Sequence, residues 1–118
     1  GPNSQAIAAI QVGHSSYHRS NSYTWVQGNE NVQIFNNDID YTYSAGIAVN
    51  GLVNGLVQNN SINQSHIKHG TDAGVNKNLT APFVITIMNS TGITTGGNVV
   101  TNPGSHSQGD ISDLGVYP

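Results

Sequence analysis

Short runs in which apolar and polar residues alternate recur along the chain, and asparagine and glycine punctuate them. Alternation with a period of two marks a strand with one buried face. The stretch Asn31-Val-Gln-Ile-Phe-Asn-Asn-Asp-Ile39 returns twenty-three residues later as Asn54-Gly-Leu-Val-Gln-Asn-Asn-Ser-Ile62. A more worn copy, Gly92-Ile-Thr-Thr-Gly-Gly-Asn-Val99, aligns with Gly55 to Ile62 at an offset of thirty-seven, which predicts fourteen extra residues inside one repeat. A second strand family, Ala9-Ile-Gln-Val12, Gly46-Ile-Ala-Val49 and Val84-Ile-Thr-Ile87, supplies one member ahead of each copy. Repetition at roughly 20 to 50 residues is the mark of stacked supersecondary units. The pattern predicts about four coils of short strands, with Ile34, Ile39, Ile47 and Val49 pointing inward and stacked on Val57, Ile62, Ile85 and Ile87.

The paired asparagines serve the same architecture. Asparagine tolerates the left-handed backbone region that a sharp corner needs, and stacked amides can hydrogen-bond along the stack. Asn36 and Asn37 are expected beneath Asn59 and Asn60, with Gly96 and Gly97 keeping the corner but losing the ladder in the third copy. Composition agrees with an all-β chain: 118 residues hold 14 glycines and 16 asparagines and only 8% charged residues, and no segment sustains a 3.6-residue period. This length allows one domain. Residues 1–4 read as a cleavage scar and lead-in, 5–102 as coils with loop insertions at 13–30 and 63–82, and 103–118 as a closing segment with Ile111, Leu114 and Val116 over the last coil.

Charge narrows the partners. The net charge is −3 and the only basic residues besides histidine are Arg19, Lys68 and Lys77, too few and too scattered to neutralise a phosphate backbone. No run of about 18 apolar residues suggests a membrane span. There is no cysteine, so neither disulfides nor thiolate metal sites arise. Four sequons, at Asn59, Asn63, Asn78 and Asn89, match what this Asn and Ser/Thr content gives by chance.

All three basic residues and four of the five histidines fall in the two insertions, and loops inserted on a plain stack commonly carry a solenoid's binding face. The second insertion leaves the corner reached by Asp38-Ile-Asp-Tyr-Thr-Tyr43 in the coil below, so Asp38, Asp40, Tyr41, Tyr43, His66, Lys68, His69 and Asp72 are expected in one patch. Aromatic faces stack on sugar rings, and carboxylates and amides hydrogen-bond sugar hydroxyls. Asp38 and Asp40, two apart on an extended segment, would lie on one face about 7 Å from each other, within the spacing of paired carboxylates in glycoside hydrolysis. Lys68, His69 or Tyr43 could take a proton in a lyase acting on uronates. The candidate catalytic residues are therefore Asp38, Asp40, Lys68 and His69, with Tyr41, Tyr43, His66 and Asp72 contacting substrate. The first insertion adds Tyr17, His18, Arg19 and Trp25 as a second sugar-contacting rim. Each has a plainer reading: Asp38 as a turn cap where Ser61 and Asn98 stand in the other copies, Trp25 as a pin holding its loop, and His66 and His69 as solvated. No third ligand joins the two histidines, so no metal site and no cofactor is expected.

The pattern Asn-Val-x-Ile-x-Asn-Asn-x-Ile at Asn31 to Ile39, followed by Ala45-Gly-Ile-Ala-Val49, resembles the right-handed parallel β-helix superfamily that contains pectate lyases, polygalacturonases, alginate epimerases and phage tailspikes. The resemblance covers residues 6 to about 102. It implies a right-handed β-helix that acts on or binds polysaccharide or glycan, in an extracellular or virion-associated setting. The motif records stacking and corners rather than chemistry, and the catalytic elements of these branches have no counterpart here; Gly13-His14 is followed by Ser15 where polygalacturonases carry a second glycine. Two functions follow as expectations: part of a polysaccharide hydrolase or lyase, or a non-catalytic recognition module of tailspike or adhesin type. A purely structural stacking segment is the third. Association with further copies, or continuation into a longer chain, would cap the ends of so short a stack.

Overall fold

The structure, a computed structural model, describes residues 8–13, 29–67 and 83–113. Every regular element among them is a strand: β1 (Ala8–Val12), β2 (Asn29–Glu30), β3 (Gln33–Phe35), β4 (Asp38–Asp40), β5 (Ala45–Asn50), β6 (Leu52–Gln58), β7 (Ser61–Asn63), β8 (Ile85–Met88), β9 (Thr91–Gly96), β10 (Val99–Thr101) and β11 (Ile111–Asp113). All described pairings are parallel. They form three separate sheets, ordered β1-β5-β8-β11, β4-β7-β10, and β6 flanked by β2 and β3 on one edge and by β9 on the other. The chain visits these sheets in the same sequence each time: β3, β4, β5, then β6, β7, β8, then β9, β10, β11. This is a solenoid-like parallel β architecture, because a parallel neighbour can be reached only by going around through the other two sheets.

Inward positions stack as the alternation predicts. Ile34 pairs with Val57, Ile39 with Ile62, Ile47 with Ile85 and Val49 with Ile87. All eight of these side chains, together with Leu52 and Val84, lie within one core, with Ile39 the most exposed of them at 8%. Full burial of one such aliphatic side chain contributes about 1.5–3 kcal/mol, so the core is the principal source of cohesion for strands too short to persist alone.

The corners explain where the strands stop. Asn31, Asn54 and Gly92 form one column of left-handed residues (φ 58, 61 and 68°), Asn36, Asn59 and Gly97 a second (58, 57 and 66°), and Tyr41, Gln64 and Asn102 a third (62, 60 and 48°). A left-handed residue breaks the extended path at the same height in successive circuits, so every circuit turns where its neighbour turns.

Beside the second column runs an amide ladder. The backbone N–H and Nδ2 of Asn37 both donate to Oδ1 of Asn60 (3.0 and 2.9 Å), and those of Asn60 donate to Oδ1 of Asn98 (both 3.0 Å). This corrects the third repeat. Its offset is thirty-eight rather than thirty-seven, so the excess over twenty-three is fifteen residues and not fourteen. Gly97 stands over Asn59, and Asn98 over Asn60, so the ladder continues. Gly97 is held to glycine twice, by its positive φ and because a Cβ there would lie 2.0 Å from Asn59 Oδ1. Asp38 accordingly aligns with Ser61 and Val99, not with Asn98.

Of the expected insertions at 13–30 and 63–82, Asn29–Glu30 form β2 and Asn63 belongs to β7, while residues 14–28 and 68–82 lie outside the described residues. Ile111, expected in a closing segment, pairs with Ile85 and adds β11 to the β1-β5-β8 sheet. Leu114 and Val116 lie outside the described residues.

Candidate functional site

The candidate surface is the outer face of the β4-β7-β10 sheet and the corner beyond it. In β4 the alternation buries Ile39 and turns Asp38 and Asp40 outward, both exposed. By the rise of an extended strand their Cα atoms sit about 7 Å apart. The positions above them in the stack are uncharged: Ser61 and Asn63 in β7, Val99 and Thr101 in β10. Asp40 anchors a polar column, its Oδ1 accepting from Asn63 Nδ2 at 3.0 Å while Asn63 Oδ1 accepts from Thr101 Oγ1 and Asn102 Nδ2, both at 2.9 Å. The column above Asp38 runs through Ser61 and then the apolar Val99.

Directly after β4 the chain turns at Tyr41, and here the sequence breaks its own rule. The other members of the column are Gln64 and Asn102, while Tyr41 places a bulky aromatic residue at φ 62°. For such a residue this region is an outlier, with a local conformational penalty of about 1–3 kcal/mol. The ring is 53% exposed and meets the ring of Tyr43, 55% exposed, edge to face with centroids 6.3 Å apart. Backbone bonds pin the corner: Tyr41 N–H donates to Asn63 O (2.9 Å), Thr42 N–H to Gln64 O (3.0 Å), and Thr42 Oγ1 to Ser44 O (2.7 Å). Two outward aromatic rings are thus held next to two outward carboxylates on one circuit, with Phe35, 49% exposed, on the same circuit one sheet earlier.

His66 departs from the expected patch. It is fully buried beside Ser65, whose Oγ lies 3.2 Å from its Nδ1, so the imidazole is not offered to a ligand on this surface. The segment around Gly104 covers it: Gly104 N–H donates to Ser65 O at 2.7 Å, and a Cβ on Gly104 would fall 2.2 Å from His66 O. Lys68, His69 and Asp72, and Tyr17, His18, Arg19 and Trp25 of the other insertion, lie outside the described residues. The stretch carrying Lys68 leaves from Ile67, whose N–H donates to Thr42 O (3.1 Å), between the two tyrosines.

A second concave feature was not anticipated from the sequence. The bends at Asn31, Asn54 and Gly92 leave a shallow open depression of about 240 Å³ on the β3-β6-β9 sheet, lined also by Gln33, Leu56 and Thr94. Its signal was present in the repeat itself, since Asn31, Asn54 and Gly92 are the three residues that open the three copies. Among the described residues no group of three His, Asp or Glu is placed to hold a metal ion.

No family model, no curated protein and no solved structure matches the chain significantly. What can be stated of its class is that the described residues form strands only, in three parallel sheets consistent with a solenoid-like fold.

Proposed function

We propose that this chain is a segment of a right-handed parallel β-helix, of the type found in the pectate lyase superfamily, and that it recognises a polysaccharide or glycan without cleaving it. The observation that carries the reading is Tyr41. A residue that would stabilise the corner better as asparagine, as in the third circuit, is instead a tyrosine with its ring outward against Tyr43, and backbone strain retained in this way clusters at ligand-contacting positions. Aromatic rings supply stacking faces for sugar rings, and Asp38 and Asp40 beside them supply hydroxyl acceptors. The catalytic elements of the branches named above have no counterpart in this sequence. Such a module would work outside the cell or on a virion, where glycans are displayed.

One observation favours a second reading, part of a polysaccharide hydrolase. Asp38 and Asp40 on one face of a strand, about 7 Å apart along the backbone, have a spacing compatible with the roughly 6.5–9.5 Å of an inverting carboxylate pair, and Lys68 and His69 are the sequence candidates for further proton transfer.

A panel of soluble and immobilised polysaccharides separates the two. Recognition predicts retention on at least one member, no release of reducing ends and no absorbance from unsaturated uronates. It also predicts that Tyr41→Asn combined with Tyr43→Ser weakens binding about fivefold or more, since two stacking contacts of about 0.5–1.5 kcal/mol each are removed. Binding that survives the double substitution refutes this surface. Reducing ends that disappear in both Asp38→Asn and Asp40→Asn establish the hydrolase instead.

A further inference from the structure

The geometry points to a separate binding site for an uncharged sugar unit in the depression on the β3-β6-β9 sheet, lined by Asn31, Gln33, Asn54, Leu56 and Thr94. It shares a ligand class with the glycan reading above and none of the residues that carry that reading, so the two can fail independently.

Three features of the depression select the ligand. Its size comes first: about 240 Å³ is below the roughly 300–1,000 Å³ of pockets that enclose drug-sized molecules, which suits one ring of a chain passing across the surface. Its chemistry comes second. The polar lining is amide and hydroxyl, which both donate and accept, Leu56 offers an apolar patch, and among the described residues no charged residue lines it. A sugar ring has this same combination, hydroxyls at its edge and C–H groups on its face. A phosphate or uronate would find no cation to balance it. Third, the backbone here is already committed. Asn31 N–H donates to Val53 O and Leu56 N–H to Val32 O, both at 3.0 Å, and β6 is paired on both edges. A peptide therefore cannot pair with β6, the central strand beneath the depression, and recognition there falls to the side chains.

The depression is also a consequence of the fold rather than of one side chain. It lies along the first column of left-handed residues, and Gly92 closes the column where Asn54 Oδ1 occupies the place a Cβ would take, 2.4 Å from it. Asn54 is thereby seated against the next circuit, with Thr94 two residues further along the strand above.

The test is a nuclear magnetic resonance titration of ¹⁵N-labelled protein with uncharged oligosaccharides of glucose, xylose and mannose, and with oligogalacturonate as the charged comparator. At least one uncharged chain is expected to shift the amide signals of Asn31, Gln33, Asn54 and Thr94. Gln33→Ala combined with Thr94→Val should weaken that response about fivefold or more, from the loss of two hydrogen bonds at roughly 0.5–1.5 kcal/mol each. Thr94→Arg, which fills the depression, should abolish it, and Tyr41→Asn with Tyr43→Ser should leave it in place. The proposal is overturned if no uncharged chain moves these signals, if only oligogalacturonate does, or if both groove variants respond as the unmodified protein does.

Discussion

Asn60 is the residue whose removal tests the stacking most directly. Its side chain is 1% exposed and takes part in four hydrogen bonds: Oδ1 accepts from Asn37 N and Asn37 Nδ2, and Nδ2 donates to Asn98 Oδ1 and to Ile34 O (3.1 Å). Asn98 has three, two accepted from Asn60 and one donated to Val57 O at 2.8 Å. Asn37 gives up only one on truncation, since its backbone N–H keeps its acceptor. At about 0.5–1.5 kcal/mol net per bond, Asn60→Ala should cost about 4 kcal/mol, Asn98→Ala about 3 and Asn37→Ala about 1. None of the three has a positive φ, so alanine introduces no backbone strain. The measurement is urea unfolding followed by circular dichroism, with the midpoints converted at a common slope. A domain of this size has about 5–15 kcal/mol in total, so the first variant should be visibly compromised and the third close to the parent. If Asn37→Ala were as damaging as Asn60→Ala, the amides would not be acting as a directional ladder and the assignment of successive circuits would be wrong.

Other perturbations reach the remaining contacts. Gly46→Ala would bring a Cβ to 2.8 Å from Ile62 Cγ2; an overpacking loss of about 1–3 kcal/mol is expected, and it should shrink in an Ile62→Ala background, read by a double-mutant cycle. Gly97→Ala combines positive φ with the clash on Asn59 Oδ1 and should destabilise by at least about 2 kcal/mol, whereas Gly96→Ala, whose nearest neighbour would be 3.9 Å away, should stay within about 0.5 kcal/mol of the parent; equal effects in thermal melts would contradict the corner geometry. Leu52→Ala, at a fully buried position, should lose about 2–5 kcal/mol by denaturant unfolding.

The strands and their inward faces were legible because period-two alternation is a local property that a solenoid preserves from one circuit to the next. The misplacement of the third copy by one residue has a clear physical cause. Two demands are made at that corner, a left-handed backbone at the first position and an amide at the second. Gly96-Gly97 resembles Asn59-Asn60 as a pair, yet only Gly97 meets the first demand, and Asn98 meets the second. His66 could not be placed from sequence at all, because its surroundings are brought in from distant positions: its own N–H donates to Ser44 O, and Gly104 packs against the carbonyls of Ser65 and His66. The depression was missed because attention to charged and aromatic residues passes over a site built from amides.

Tyr41 joins the stability argument to the functional one. In a stack, an inward substitution is felt by the circuits above and below, so inward columns stay alike: Ile39 and Ile62, Ile47 and Ile85. Outward positions carry no such constraint, and a departure from the repeat there has to be explained by something outside the stack. Asp38, Asp40, Tyr41 and Tyr43 are four such departures within six residues of one circuit. Three of them are merely permitted by the fold, but Tyr41 is opposed by it. Tyr41→Asn should therefore raise stability by about 1 kcal/mol, through relief of the left-handed strain, while lowering affinity for glycan. A variant that gains in thermal melts and loses on a polysaccharide column is the signature of a residue kept for binding. A variant that loses stability would mean that the ring is packed for structural reasons, and the case for this corner as a recognition surface would lose its main support.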